Sequence, residues 1–85
     1  MKLWILRPAG NLPETDNPWE PWYDKNFGFV IRAETEARAR EIADRNAGDE
    51  NRDANHPWLN ARYSTCVELL PDGQDDVLII DSAGG

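Results

Sequence analysis

One stretch of this chain repeats apolar residues at helical spacing. From Thr35 to Ala47 the positions Ala39, Ile42, Ala43 and Ala47 fall on one stripe of a helix. Thr35 is placed to cap its N terminus, and Gly48 stands where a left-handed C-terminal cap falls. Glu34–Arg38, Glu36–Arg40 and Glu41–Arg45 are each spaced i,i+4 with the acid first, the favourable order on an exposed face. The apolar stripe holds a single isoleucine among alanines. Small side chains let a helix lie close to a sheet but contribute little apolar area each. The bulk of the core must therefore come from strands and from the four tryptophans.

The strands are short. Lys2-Leu3-Trp4-Ile5-Leu6-Arg7 is apolar and is stopped by Pro8, which cannot donate to a sheet ladder. Pro8, Pro13, Pro18 and Pro21 then exclude a regular helix or central strand from residues 8–26. Phe27–Arg32 is the second strand, in which Gly28 marks a bulge or a close backbone approach. Residues 48–62 form a second polar loop. Within Tyr63–Leu70, Thr65 and Glu68 could open a helical turn, but Thr65, Val67 and Leu69 alternate with Ser64, Cys66 and Glu68 as a strand does. The strand is favoured, because Pro71-Asp72-Gly73-Gln74 is turn chemistry and Val77-Leu78-Ile79-Ile80 is an apolar run beyond it. The two runs are expected to form a β-hairpin. The whole, residues 1–85, is expected to be one α+β domain of order β-β-α-β-β, a four-stranded sheet with one helix.

A single helix covers one face of a sheet, yet these strands are apolar on both. Leu3 and Ile5 point one way in the first strand while Trp4 and Leu6 point the other. The uncovered face needs the tryptophan loops, a second copy of the chain or a partner.

Charge narrows the partner. Nine Lys and Arg against 16 Asp and Glu give a net charge of −7, which disfavours direct binding to nucleic acid or to an anionic membrane. Five acids (Glu68, Asp72, Asp75, Asp76 and Asp81) and no base lie between Ser64 and Gly85. An acidic hairpin of this kind suits another protein with a basic surface; alternatively it is a solubilising surface. Pro18-Trp19, Pro21-Trp22 and Pro57-Trp58 join a pre-ordered backbone to a large contact area. Trp19, Trp22 and Trp58, with Glu68, Asp72, Asp75 and Asp76, are thus the candidate partner-binding residues, unless the indoles fold back over the sheet as core. A homodimer is the other expected association.

Chemistry is sparse. His56 lies near Asp49, Glu50 and Asp53, too scattered a set for a metal site, and Asp72, Asp75 and Asp76 do not follow a calcium-loop pattern. Cys66 has His56 as the sole candidate base and sits in an apolar-rich segment, where a thiol packs as a small hydrophobe. No catalytic residue, metal or cofactor is expected, and the chain is not read as an enzyme. One cysteine and no apolar run of spanning length fit a cytoplasmic setting.

Two resemblances add context. Asp72-Gly73 before the last strand and the closing Gly84-Gly85, within a β-β-α-β-β order, are similar to ubiquitin-like carriers; that resemblance implies a C-terminal glycine carboxylate open to adenylation. Met1–Pro8, Pro21–Asp24, Gly28–Val30, Arg32–Thr35, Gly48–Glu50 and Ser64–Cys66 resemble a group of short uncharacterised bacterial and phage proteins. By size, charge and setting such proteins are similar in type to anti-CRISPR and other anti-defence inhibitors. The implied function is a small acidic phage-type inhibitor that binds a host defence or nucleic-acid-handling complex in the host cytoplasm.

Overall fold

The computed structural model describes residues 1–19, 26–51 and 55–80, and of Asp49 the backbone only. Three strands, β1 (Lys2–Pro8), β2 (Phe29–Ala33) and β3 (Ser64–Glu68), pair in the order β2-β1-β3. Both pairings are antiparallel, with Trp4 opposite Ile31 and Glu68, and Leu6 opposite Phe29 and Cys66. Because β1 lies in the middle, β2 and β3 run parallel. Helix α1 (Glu36–Arg45) forms the crossover between them. Short 3-10 turns at Glu14–Asp16, Asp49–Asn51 and Pro57–Leu59 shape the two long loops.

The sheet has three strands among the described residues, so the expected four-stranded sheet is wrong. Val77–Ile80 does not pair. The Leu69 amide donates to Leu3 O at 2.8 Å, and there the ladder ends. Pro71 has no N–H to continue it. Gly73, at φ 140, then turns the chain in a conformation closed to most residues. The Val77 amide donates to Asp76 Oδ1 at 2.8 Å, so the first N–H of the run is already satisfied locally. The run passes over the face of the sheet, lining crevices with Ile5, Arg7 and Gly28, instead of docking on its edge.

Helix α1 begins as expected. Thr35 Oγ1 accepts the Arg38 amide at 3.2 Å. Its end differs from expectation. Asn46, not Gly48, closes the helix, with φ −104 and its side-chain amide donating to Ile42 O at 2.8 Å. Asparagine can satisfy a terminal carbonyl with its side chain, so no left-handed glycine is needed. Of the three expected i,i+4 ion pairs, Glu36–Arg40 closes at 2.9 Å; the other two are not within 4.0 Å.

Arg40 is nearly buried beside the alanine stripe. Its guanidinium donates to Trp58 O at 3.0 Å, to Ser64 Oγ at 2.8 Å and to Ser64 O at 3.2 Å. One side chain thus ties α1 to the Pro57–Leu59 turn and to β3. Ala39 and Ala43 are fully buried against Leu6, Ile31 and Ala33. The close helix–sheet approach these alanines allow is filled at its margin by Trp19 and Trp58, whose rings meet edge to face at 4.7 Å. Phe29 meets Trp58 at 5.0 Å in the same way.

β2 begins two residues later than its sequence suggests, and Gly28, just before it, makes the expected close backbone approach. A Cβ at Gly28 would lie 3.0 Å from Leu6 O, a backbone atom of the central strand. Gly28→Ala removes about 0.4–1 kcal/mol of unfolded-chain freedom but forces that contact apart at about 1–3 kcal/mol, so strain wins. The expected result is a melting temperature several degrees lower, read by circular dichroism.

Candidate functional site

Side chains alternate across the sheet, so the two faces differ. One face, carrying Trp4, Leu6, Phe29, Ile31, Ala33, Ser64 and Cys66, packs on or beside the α1 core. The opposite face carries Leu3, Ile5, Arg7, Val30, Arg32, Thr65 and Val67. No helix covers it among the described residues. Leu3, Val30 and Val67 are exposed there, Val67 to 58%.

The segment lying over this face is itself exposed. Leu70, Val77, Leu78 and Ile79 leave about half or more of their surface in solvent, and Ile80 is 74% exposed. Packing beneath the segment is loose. One crevice of about 580 Å³ lies between Val77–Ile80 and Arg7, Asn26, Phe27 and Gly28. Two smaller ones, of about 280 and 210 Å³, border Ile5, Arg7 and Val67. Of the 11 large hydrophobic residues that are exposed among those described, all but Met1 and Leu59 lie on this face, on the segment over it or, as Phe27 does, at its margin.

Charges of both signs border the apolar area. Arg7 and Arg32 stand exposed on the sheet, and Asp72, Asp75 and Asp76 are exposed in the loop that carries the chain from β3 onto the face. Among the described residues, none of these five takes part in an ion pair within 4.0 Å.

The candidate residues named from sequence separate in space. Trp19 and Trp58 are in the core on the helix side. The Trp19 indole N–H donates to Tyr63 O at 3.0 Å, and that of Trp58 donates to Glu50 Oε2 at 2.9 Å. Both indoles are buried and offer little surface to a partner. Glu68 is on the helix-side register, opposite Trp4, and pairs with Lys2 at 3.7 Å. Trp22 lies outside the described residues, as do Asp81 and Gly84-Gly85. Among the described residues of the set, Asp72 borders the open face, and Asp75 and Asp76 follow it, exposed, in the same loop. What the sequence-based set omitted is the apolar area itself and the two arginines. The signal for them was the two-residue alternation of Leu3, Ile5 and Arg7 on one side of β1.

The remaining polar groups are engaged locally. His56, in the left-handed region at φ 46, pairs through Nδ1 with Asp44 Oδ1 at 2.9 Å, away from the Glu50 carboxylate that faces Trp58. Among the described residues, no three His, Cys, Asp or Glu side chains come together as a metal set. Cys66 is partly buried on the helix side, and burial pushes its thiol above the ordinary range, opposed in part by the nearby Arg40 charge. The Tyr63 hydroxyl donates to Asp16 Oδ1 at 2.6 Å, and this bond, with some burial and the Asp16 charge, raises the phenol pKa. Arg62 pairs with the other Asp16 oxygen at 2.6 Å. These contacts staple the first long loop to the start of β3. No helix among the described residues is long and apolar enough to cross a membrane.

Neutralising the acidic loop separates a surface role from a folding role. Asp72→Asn, Asp75→Asn and Asp76→Asn together are expected to leave the melting temperature within about 2 °C of the parent, because exposed charges stabilise little. The carboxamide introduced by Asp76→Asn retains a side-chain oxygen for the Val77 amide. A large loss of stability would place these carboxylates in the fold itself.

Comparison with protein-family models gives no match, and neither the curated proteins nor the solved structures give one.

Proposed function

We propose that this chain is a protein-binding module whose contact surface is the sheet face opposite α1, together with the Val77–Ile80 segment over it. One observation carries the reading: nearly all the exposed large hydrophobic residues gather on that side, while the helix side is closed by its own tryptophans. Contiguous apolar surface rimmed by charge is the signature of a protein contact. Apolar burial would supply the affinity, and the charged rim the orientation.

The acidic loop taken alone suits a basic partner, as a phage-type inhibitor of a defence or nucleic-acid-handling complex would require. Arg7 and Arg32 on the same face weigh against a uniformly basic target. The carrier alternative rests on Asp72-Gly73 and Gly84-Gly85, without the β-β-α-β-β order, since the sheet has three strands among the described residues.

Side-chain footprinting with hydroxyl radicals tests the reading. In dilute purified protein, Val67, Val77 and Ile80 are expected to label readily, as does Leu59 on the helix side. In cells expressing the chain, the first three should be protected and Leu59 should not. Equal labelling of all four in both settings would remove the proposed surface.

A further inference from the structure

We infer that the crevice beneath Val77–Ile80 is a binding site for an aliphatic monocarboxylate of about eight to twelve carbons, held at its charged end by Arg7. This site stands apart from the reading of the open face as a protein contact. Val77, Leu78, Ile79 and Ile80 form one wall and Phe27 part of the other, and Arg7 is the one charged group among the described residues that line the crevice. The walls are loosely packed: Phe27, Val77 and Ile80 keep more than half of their surface in solvent beside a space of about 580 Å³. Small-molecule sites have this size and this make-up, an apolar lining with few polar groups.

The polar groups select the ligand's charge. A Cβ at Gly28 would lie 4.0 Å from Arg7 Cγ, so the arginine stem runs past a residue with no side chain to screen it from the crevice. Among the described residues Arg7 has no ion-pair partner within 4.0 Å. Asp72 shares a smaller crevice with Arg7 but does not line this one. Asn26, the other polar side chain of the lining, gives its amide to Asn46 O at 2.9 Å. An anion therefore meets a single guanidinium, whose planar fork of N–H donors matches a carboxylate. The chain's net charge of −7 disfavours a second negative charge on the ligand. An inorganic anion would leave the apolar walls in water. A peptide would bring amide groups that those walls cannot partner, whereas an alkyl chain brings none. At about 30 Å³ for a group of water's size, the space holds roughly 19 such groups, enough for such an acid with its outer side open to solvent.

Isothermal titration calorimetry of the full chain with octanoate, decanoate and octan-1-ol, all kept below micelle formation, tests this. Saturable binding of one molecule per chain is expected. Decanoate should bind about fifteenfold more tightly than octanoate, because each buried methylene contributes about fourfold. Arg7→Gln should weaken octanoate by about tenfold or more and leave octan-1-ol within about twofold. Arg32→Gln, on the same face but outside the crevice, should change neither. Ile79→Asp should abolish binding of all three while the circular dichroism of the helix stays that of the parent. The absence of saturable decanoate binding, or equal affinities for octanoate and decanoate, would overturn the site. Equal losses in Arg7→Gln and Arg32→Gln would reduce it to general attraction by surface arginines and overturn the role of Arg7. Full binding by a folded Ile79→Asp would overturn its location. An acetylated tripeptide ending in leucine that binds more tightly than decanoate would assign the crevice to a protein's C-terminal carboxylate and overturn the free acid.

Discussion

Trp58→Ala is expected to remove most of the stability of this fold. Trp58 is wholly buried, and its ring meets Trp19 at 4.7 Å and Phe29 at 5.0 Å. Truncating a buried tryptophan costs about 3–5 kcal/mol in lost transfer energy and cavity. A second loss adds to it: Glu50, almost fully buried, accepts the Trp58 indole N–H at 2.9 Å, so the substitution strips a donor from a buried carboxylate. The Asn26 amide stays on that carboxylate at 3.3 Å, so the added loss is that of one hydrogen bond to a charged group, about 1.5–3 kcal/mol. A domain of this length holds roughly 4–13 kcal/mol in total. Urea denaturation should find Trp58→Ala unfolded or nearly so in buffer. Trp58→Phe keeps a ring beside its neighbours and loses chiefly the bond to Glu50, and should retain a cooperative transition about 2 kcal/mol weaker. If Trp58→Ala melts like the parent, the core has been misplaced.

Ala43→Asp should be comparably severe for a different reason. Ala43 faces the sheet with no exposed surface, so a carboxylate there has neither water nor room. The nearest cation at helical spacing is Arg40, one turn back, and its donors are already held by Glu36, Trp58 O and Ser64. An uncompensated buried charge costs about 3–5 kcal/mol. Ala37→Asp, on the exposed side of the same helix, should change stability by about 0.5 kcal/mol or less. Equal melting temperatures for the two variants would show that the buried stripe of α1 has been assigned to the wrong side.

Local signals in the chain were legible where they also decided the structure. Thr35 caps its helix because its hydroxyl reaches the Arg38 amide, a contact only three residues long. Ala39 and Ala43 are buried because their spacing leaves them on one side. β3 follows from the alternation of Ser64 to Glu68. Val77–Ile80 was illegible, because a β-branched run after a turn looks the same whether it joins an edge or lies across a face. What decides it is the direction in which the chain leaves Leu69, past Pro71 and through Gly73, and that is a matter of geometry. The tryptophans were ambiguous for a related reason. A Pro-Trp dipeptide fixes the backbone near the indole but not the side of the sheet to which it turns. That side is fixed by distant partners, Tyr63 O for Trp19 and Glu50 for Trp58, 44 and eight residues away. The apolar character of both sheet faces was visible from the alternation in β1. Which face would stay open depended on where those indoles went.

Site-specific photo-cross-linking tests the central claim, that the face opposite α1 is where this chain meets another protein. A benzophenone amino acid at Val67, on the open face, is compared in living cells with the same group at Arg45, exposed on α1. The account requires a discrete covalent adduct at position 67, of a mass that identifies a second copy or another protein, and none at position 45. Adducts at both positions in equal yield, or at position 45 alone, would contradict it.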